Sequence, residues 1–140
     1  MNSRILWLRI AYWTGAIIDA LAFIPLVNSD VWAALNHVPN FHADWDFRYS
    51  QAFAAAFMAG WTILLIWADR NPMERRGVLP ITVFPVVVGL NSARYILYMG
   101  GMVPVPFTAL GVAIPVAISV LFLFAYGYSF TKPTSVKAAP

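Results

Sequence analysis

The chain has 140 residues, of which 61% are hydrophobic and 11% are charged. A soluble domain carries about 25% charged residues, so this composition excludes an ordinary soluble fold and predicts an all-α, polytopic membrane protein with room for about four spanning helices. The net charge of +3 does not indicate a nucleic-acid partner, because the basic residues lie near the ends of the apolar segments, and the lack of cysteine excludes disulfides and thiolate chemistry.

The first apolar segment covers residues 5–27 and predicts a spanning helix that contains one carboxylate, Asp19. A cleaved signal peptide is the alternative, and Arg4 and Arg9 supply the charged start that such a peptide needs. Asp19 interrupts the apolar region, however, and no small-x-small cleavage site follows it. The segment is therefore expected to remain as the first span.

A polar connection over residues 28–49 follows, and it is predicted to form a short interfacial helix over residues 30–35, capped by Ser29 or Asp30. Its aromatic residues are expected at the level of the lipid headgroups. They are Trp32, Phe41, Trp45, Phe47 and Tyr49.

The same connection contains two histidines and two aspartates with alternating spacing. Imidazole and carboxylate groups suit zinc or manganese, but this spacing is not diagnostic of a metal site. The residues are His37, His42, Asp44 and Asp46. The favoured interpretation has no bound metal: these residues are either solvated loop residues or paired with Arg48.

The second span is predicted over residues 50–68. Ala52, Ala56 and Gly60 lie four residues apart, with Ala55 and Ala59 beside them. Together they give one smooth helical face that a neighbouring backbone can approach closely. A short charged turn follows and contains Asp69, Arg70, Glu74, Arg75 and Arg76.

The third span is predicted over residues 78–98 and the fourth over residues 107–130. Pro85 lies inside the third and predicts a kink that frees a backbone carbonyl. The fourth has no charged residue, and Gly111, Pro115 and Ser119 share one of its faces. Residues 131–140 are predicted to form a disordered tail.

Basic residues favour one side of this arrangement, because only Arg48 and Arg94 lie toward the other side. By the positive-inside rule, both termini are expected in the cytoplasm, with the long aromatic connection outside. A bacterial inner membrane, with the protein as a multi-pass chain, fits this charge bias and the small size.

Polar residues of the first and third spans are predicted to lie at one depth. Asp19 and Asn91 each lie 13 residues beyond an expected inner boundary, which is about 20 Å along a helix. Arg94 and Tyr95 share the face of Asn91. The predicted site, in the outer half of the bundle, consists of Tyr12, Trp13, Asp19, Asn91, Arg94 and Tyr95.

Two interpretations of this cluster remain open. It is either a ligand or proton site, or a structural salt bridge between Asp19 and Arg94 with Asn91 completing the hydrogen bonds. A charged residue in the bilayer interior costs about 2.5–3.5 kcal/mol on insertion scales, so some compensation is expected in both cases.

Three functions follow from these observations. The first is a non-enzymatic protein that binds a small amphipathic ligand or serves as an accessory subunit of a larger membrane complex, without a cofactor. The second is an oligomeric proton-coupled transporter that uses Asp19; in size, helix count and first-helix acid the chain resembles the small multidrug transporters. The third is an intramembrane isomerase or hydrolase with Asp19 as acid or base beside a tyrosine.

Overall fold

The computed structural model describes residues 3–38, 40–101 and 109–131, and within them it contains five helices and no strand. Four of these helices are long and apolar enough to cross a membrane, which confirms the predicted all-α, four-span fold. The helices are α1 (Ser3–Val27), α2 (Ser29–Leu35), α3 (Trp45–Asp69), α4 (Val78–Met99) and α5 (Ala109–Tyr128). Most of the predicted turn before the fourth span, and the predicted tail over residues 132–140, lie outside the described residues.

Side-chain caps determine where α2 and α3 begin. The cap of α2 is Asn28, whose Oδ1 accepts hydrogen bonds from the amides of Asp30 at 3.0 Å and Val31 at 3.2 Å, so the predicted Ser29 or Asp30 cap is wrong. The Asp44 Oδ1 accepts from the Phe47 amide at 2.8 Å and starts α3 five residues before the predicted boundary. Both caps satisfy amides that have no partner within the helix.

The four spans alternate in direction, so that the start of α1, the end of α3, the start of α4 and the end of α5 lie together. The hydroxyls of Ser3 and Tyr128 share a hydrogen bond at 3.4 Å, and the Arg4 guanidinium donates to the Thr131 carbonyl at 2.9 Å. We call this the basic end, because it contains Arg4, Arg9, Arg70, Arg75 and Arg76. The opposite end carries α2 and a cluster of three packed rings, Trp32, Phe41 and Phe47, and we call it the aromatic end.

The packed core lies in the half of the bundle nearer the basic end. Its buried side chains come from all four spans and include Leu8, Tyr12, Leu65, Leu79 and Phe122. Gly15 of α1 lies where α3 and α5 both approach, since a Cβ atom at this position would be 2.7 Å from Phe122 Cζ and 2.9 Å from Leu65 Cδ1. The lack of a side chain at Gly15 therefore allows α1 to pack closely against α3 and α5.

The small-residue face predicted on the second span is not an interface within the chain. Ala52, Ala56 and Gly60 are exposed, and no side chain of the described residues lies within 4 Å of a Cβ placed at Gly60. The buried alanine of this region is Ala55, which lies beside the stripe. The close approach predicted at the stripe itself is therefore not made within the described residues.

Gln51 links three helices near the aromatic end. Its amide nitrogen donates to the Pro25 carbonyl at 2.8 Å, and its oxygen accepts from the Ser29 hydroxyl at 3.0 Å. Because Pro25 lies in the last turn of α1, its carbonyl has no partner within that helix. Gln51, at 8% exposure, supplies the missing donor.

Helix α4 changes its winding along its length. It is α-helical over Val78–Ile81, π-helical over Thr82–Val88 and α-helical again over Gly89–Met99. Pro85 lies inside the π-helical segment, where its missing amide interrupts the regular hydrogen-bond ladder. Among the residues of Gly89–Met99, all of which are described, none is buried, so α4 joins the core only through its first half.

Candidate functional site

A groove runs between residues 87–96 of α4 and residues 112–123 of α5, from the middle of the bundle toward the aromatic end. Its volume is about 650 Å³. We call it the lateral groove, and its walls are formed by Val87, Val88, Asn91, Ser92, Tyr95 and Ile96 of α4 and by Val112, Pro115, Val116, Ser119, Val120 and Leu123 of α5. The groove exists because α4 contributes no buried residue beyond its π-helical segment, while α5 continues alongside it.

The polar side chains of the lateral groove are turned partly toward their own helices. The Asn91 amide nitrogen donates to the Val87 carbonyl at 2.7 Å, and the Ser119 hydroxyl donates to the Pro115 carbonyl at 2.8 Å. Both bonds span four residues, which is how asparagine and serine satisfy a donor within an apolar helix. The Ser119 hydroxyl and one of the two Asn91 amide hydrogens are thus occupied, while within the described residues no donor bonds to Asn91 Oδ1.

Two of the six predicted site residues, Asn91 and Tyr95, line this groove. Asp19 and Arg94 do not line it. Asp19 is half-buried on α1, one turn beyond Gly15 and therefore just past the packed core. Within the described residues no ion pair joins Asp19 to Arg94 within 4.0 Å, because the second half of α4 makes no extensive contact with α1. Of the two interpretations left open by the sequence, the salt bridge between Asp19 and Arg94 is therefore not formed.

Tyr12 and Trp13 belong to a different place, at the basic end. Tyr12 is fully buried, and its hydroxyl donates to the Arg75 carbonyl at 2.9 Å. The Trp13 indole donates to Asp69 Oδ2 at 3.2 Å, and the Arg9 Nε lies 3.6 Å from the other carboxylate oxygen. These contacts attach α1 to the charged turn, so the two aromatic residues have a structural role distant from the predicted outer site.

The charged turn after α3 is held by its own aromatic neighbours. The Arg75 guanidinium lies 3.5 Å from the centre of the Trp67 ring and also donates to the Trp67 carbonyl. The Arg76 guanidinium lies 3.8 Å from the Phe130 ring, which connects the turn to the end of α5. Such cation–π contacts contribute about 0.5–1 kcal/mol each at exposed sites.

Within the described residues, no group of three acidic, histidine or cysteine side chains is arranged to hold a metal ion. His37 and Asn40 both have positive φ, at 54° and 56°, so the connection turns sharply there. The His42 ring instead shares a hydrogen bond with the Asn40 carbonyl at 2.9 Å.

Sequence reasoning missed the α5 wall of the lateral groove. The sequence did contain an indication of this wall. Gly111, Pro115 and Ser119 share one face of a helix that has no charged residue. That face was not connected to Asn91, since the sequence does not reveal that α4 and α5 diverge beyond Thr82–Val88.

Comparisons of the chain with known protein families, with curated proteins and with solved structures find no match. The chain is a multi-pass membrane protein by the length and hydropathy of its four spans. A functional proposal therefore depends on the residues of the chain itself. The lateral groove is the feature that combines a cleft with polar side chains.

Proposed function

We propose that this protein binds a small amphipathic molecule in the lateral groove and that it is not an enzyme. The observation that carries the proposal is a cleft of about 650 Å³, mainly apolar, with a small number of polar side chains in its walls. Small-molecule sites in proteins are clefts of about 300–1,000 Å³ with the same composition.

The position of the groove also supports a binding role. Its walls are the outer halves of two spanning helices, so a molecule dissolved in the bilayer reaches it from the side without crossing water. Asn91 and Ser119 are the feature that a plain lipid-facing surface would lack, since polar side chains within spans usually face a protein interior or a site.

The charge distribution supports one orientation for this site. The basic end carries five arginines, and the positive-inside rule favours a cytoplasmic location for it. The lateral groove then opens in the outer half of the membrane. The same bias and the small size favour a bacterial inner membrane, where the protein acts alone, as a homo-oligomer or as a subunit of a larger complex.

Photo-crosslinking from inside the groove tests the proposal. Benzoylphenylalanine replaces Val116, a groove residue that is 55% exposed, and in a separate variant it replaces Ile63 of α3, which is 66% exposed and lies outside the groove. After irradiation of intact membranes, mass spectrometry of the purified protein identifies the adducts. We expect a discrete small molecule at Val116 and bulk phospholipid at Ile63.

The matched control positions make the outcome interpretable. Both side chains are apolar, lie in spans and are exposed to a similar extent, so they sample bulk lipid alike. The same mixture of phospholipid adducts at the two positions would contradict a binding role for the lateral groove.

A second candidate function is proton-coupled transport through Asp19. The observation that favours it is the half-buried carboxylate, which within the described residues has no hydrogen-bond or ion-pair partner. Unpaired carboxylates within spans are typical of proton relays. The Asp19→Asn variant in proteoliposomes should then abolish proton movement driven by a substrate gradient while the protein still folds; proton movement unchanged by the substitution would exclude this role.

A further inference from the structure

We infer that the lateral groove selects a neutral amphiphile with a hydroxyl headgroup, such as a long-chain alcohol, over amphiphiles with a charged headgroup. This inference rests on the proposed function and specifies the chemistry of the ligand. It is carried by the charge and the hydrogen-bonding state of the groove walls.

The walls of the lateral groove are uncharged. The twelve residues of the walls include no acidic and no basic side chain. A phosphate or ammonium headgroup at this depth would lose its hydration and gain no opposite charge in return. Asp19 and Arg94, the charged residues of the predicted site, do not line the groove.

The hydrogen bonds of Asn91 and Ser119 determine what a ligand can offer to these two side chains. Asn91 Nδ2 and the Ser119 hydroxyl already donate to backbone carbonyls of their own helices, at 2.7 and 2.8 Å. These two side chains still offer acceptor capacity at Asn91 Oδ1 and at the Ser119 oxygen, together with the second Nδ2 hydrogen of Asn91. A ligand must therefore bring a donor to satisfy the two acceptors, and a hydroxyl can also accept from the remaining Asn91 hydrogen.

Ser92 lies beside Asn91 in the same wall of the groove. A serine hydroxyl both donates and accepts, and within the described residues Ser92 has no hydrogen-bond partner. A ligand hydroxyl can donate to Asn91 Oδ1 and accept from Ser92, which matches both roles. An ester or ether headgroup only accepts and would leave Asn91 Oδ1 unsatisfied.

The remaining walls suit the hydrocarbon part. They are mostly branched aliphatic side chains, and the groove is open along the side that faces the bilayer. An alkyl chain longer than the groove can therefore extend into lipid without a steric limit, so the headgroup determines selectivity and the chain length does not.

Photoaffinity labelling in nanodiscs tests this inference with three probes of one chain length. They are hexadecanol, hexadecyl phosphate and hexadecylamine, each with a diazirine at the same chain carbon. We expect the alcohol to label groove peptides about tenfold more than either ionic probe, because a charge buried without a partner is strongly disfavoured.

Two variants assign the selectivity to the groove. Asn91→Leu removes the acceptor while keeping the size of the side chain, and we expect alcohol labelling to fall about fivefold, the effect of one hydrogen bond. The matched control is Thr62→Val of α3, since Thr62 also donates to a carbonyl four residues earlier but lies outside the groove. That variant should label like the wild type, and helix content by circular dichroism checks the folding of both.

The outcomes separate this inference from the function on which it rests. Labelling of the groove by the phosphate or the amine as strong as that by the alcohol, or labelling by the alcohol that Asn91→Leu leaves unchanged, would overturn the hydroxyl preference while leaving the groove as a binding site. Equal labelling of groove peptides and of the exposed face of α3 by all three probes would instead refute binding in the groove.

Discussion

Replacing Gly15 by alanine tests the packing on which the whole bundle depends. The added Cβ atom would lie 2.7 Å from Phe122 Cζ and 2.9 Å from Leu65 Cδ1. Carbon atoms in favourable contact are about 3.5–4.0 Å apart, so both neighbours would have to move. Phe122 and Leu65 are both fully buried.

The expected magnitude follows from two opposing effects. An extra methyl group in a well-packed core costs about 1–3 kcal/mol. Replacing a glycine inside a helix returns about 0.5–1 kcal/mol, because alanine loses less backbone entropy on folding. We therefore expect the free energy of unfolding of Gly15→Ala to fall by up to about 2.5 kcal/mol. It is measured by titrating dodecylmaltoside micelles with sodium dodecyl sulfate and following helix content by circular dichroism.

Gly60 provides the matched control, since it is also a helical glycine within a span. A Cβ atom at Gly60 meets nothing within 4 Å among the described residues, so Gly60→Ala should keep or slightly raise the free energy of unfolding. Equal stability of the Gly15 and Gly60 variants would refute the close approach of α1, α3 and α5.

Three further substitutions test other contacts. Asp19→Asn and Arg94→Gln should change stability additively, within about 0.5 kcal/mol, in a double-mutant cycle, because no ion pair joins them; recovery of stability in the double variant would contradict this. Gln51→Leu should lower the free energy of unfolding by about 1–3 kcal/mol, since it leaves the Pro25 carbonyl without its donor, and an unchanged value would show that the link is not formed. Asp44→Ala should cost about 0.5–2 kcal/mol and speed amide exchange in the first turn of α3, whereas unchanged exchange would argue against the cap.

The number of spans and their approximate bounds could be predicted from the sequence because a bilayer requires long apolar runs, and these were visible. The start of α3 was placed too late because Trp45, Asp46 and Arg48 resemble a polar loop. The Asp44 cap, a local hydrogen bond, extends the helix through them. Caps depend on one backbone conformation, which composition does not reveal.

Asn91 and Tyr95 were predicted to share a site with Asp19, but in the structure they face α5 across the lateral groove. Helical rise gives the depth of Asp19 and Asn91, whereas the rotation and partner of each helix depend on tertiary packing. Helix α1 uses Ala11 and Gly15 to approach α3 and α5, and the second half of α4 does not join this packing. Asn91 therefore lines a groove with α5 instead of meeting Asp19 on α1.

The winding of α4 is the structural feature that the sequence indicated least. Pro85 predicts a disturbance, but a proline gives no information on whether the helix bends or widens. The structure shows a π-helical segment, in which Thr82 both donates to the Val78 carbonyl at 2.8 Å and accepts from the Trp61 indole at 3.2 Å. This contact holds the first half of α4 to α3, and the lateral groove opens beyond it.

Native mass spectrometry of the protein released from its own membrane tests the central claim, that the lateral groove is a binding site. The comparison is between the wild type and a Val116→Trp variant, in which the larger side chain fills the groove. We expect the wild type to retain one discrete non-phospholipid molecule. The variant should have lost this molecule while keeping its bulk lipid. Identical spectra for the two proteins would contradict it.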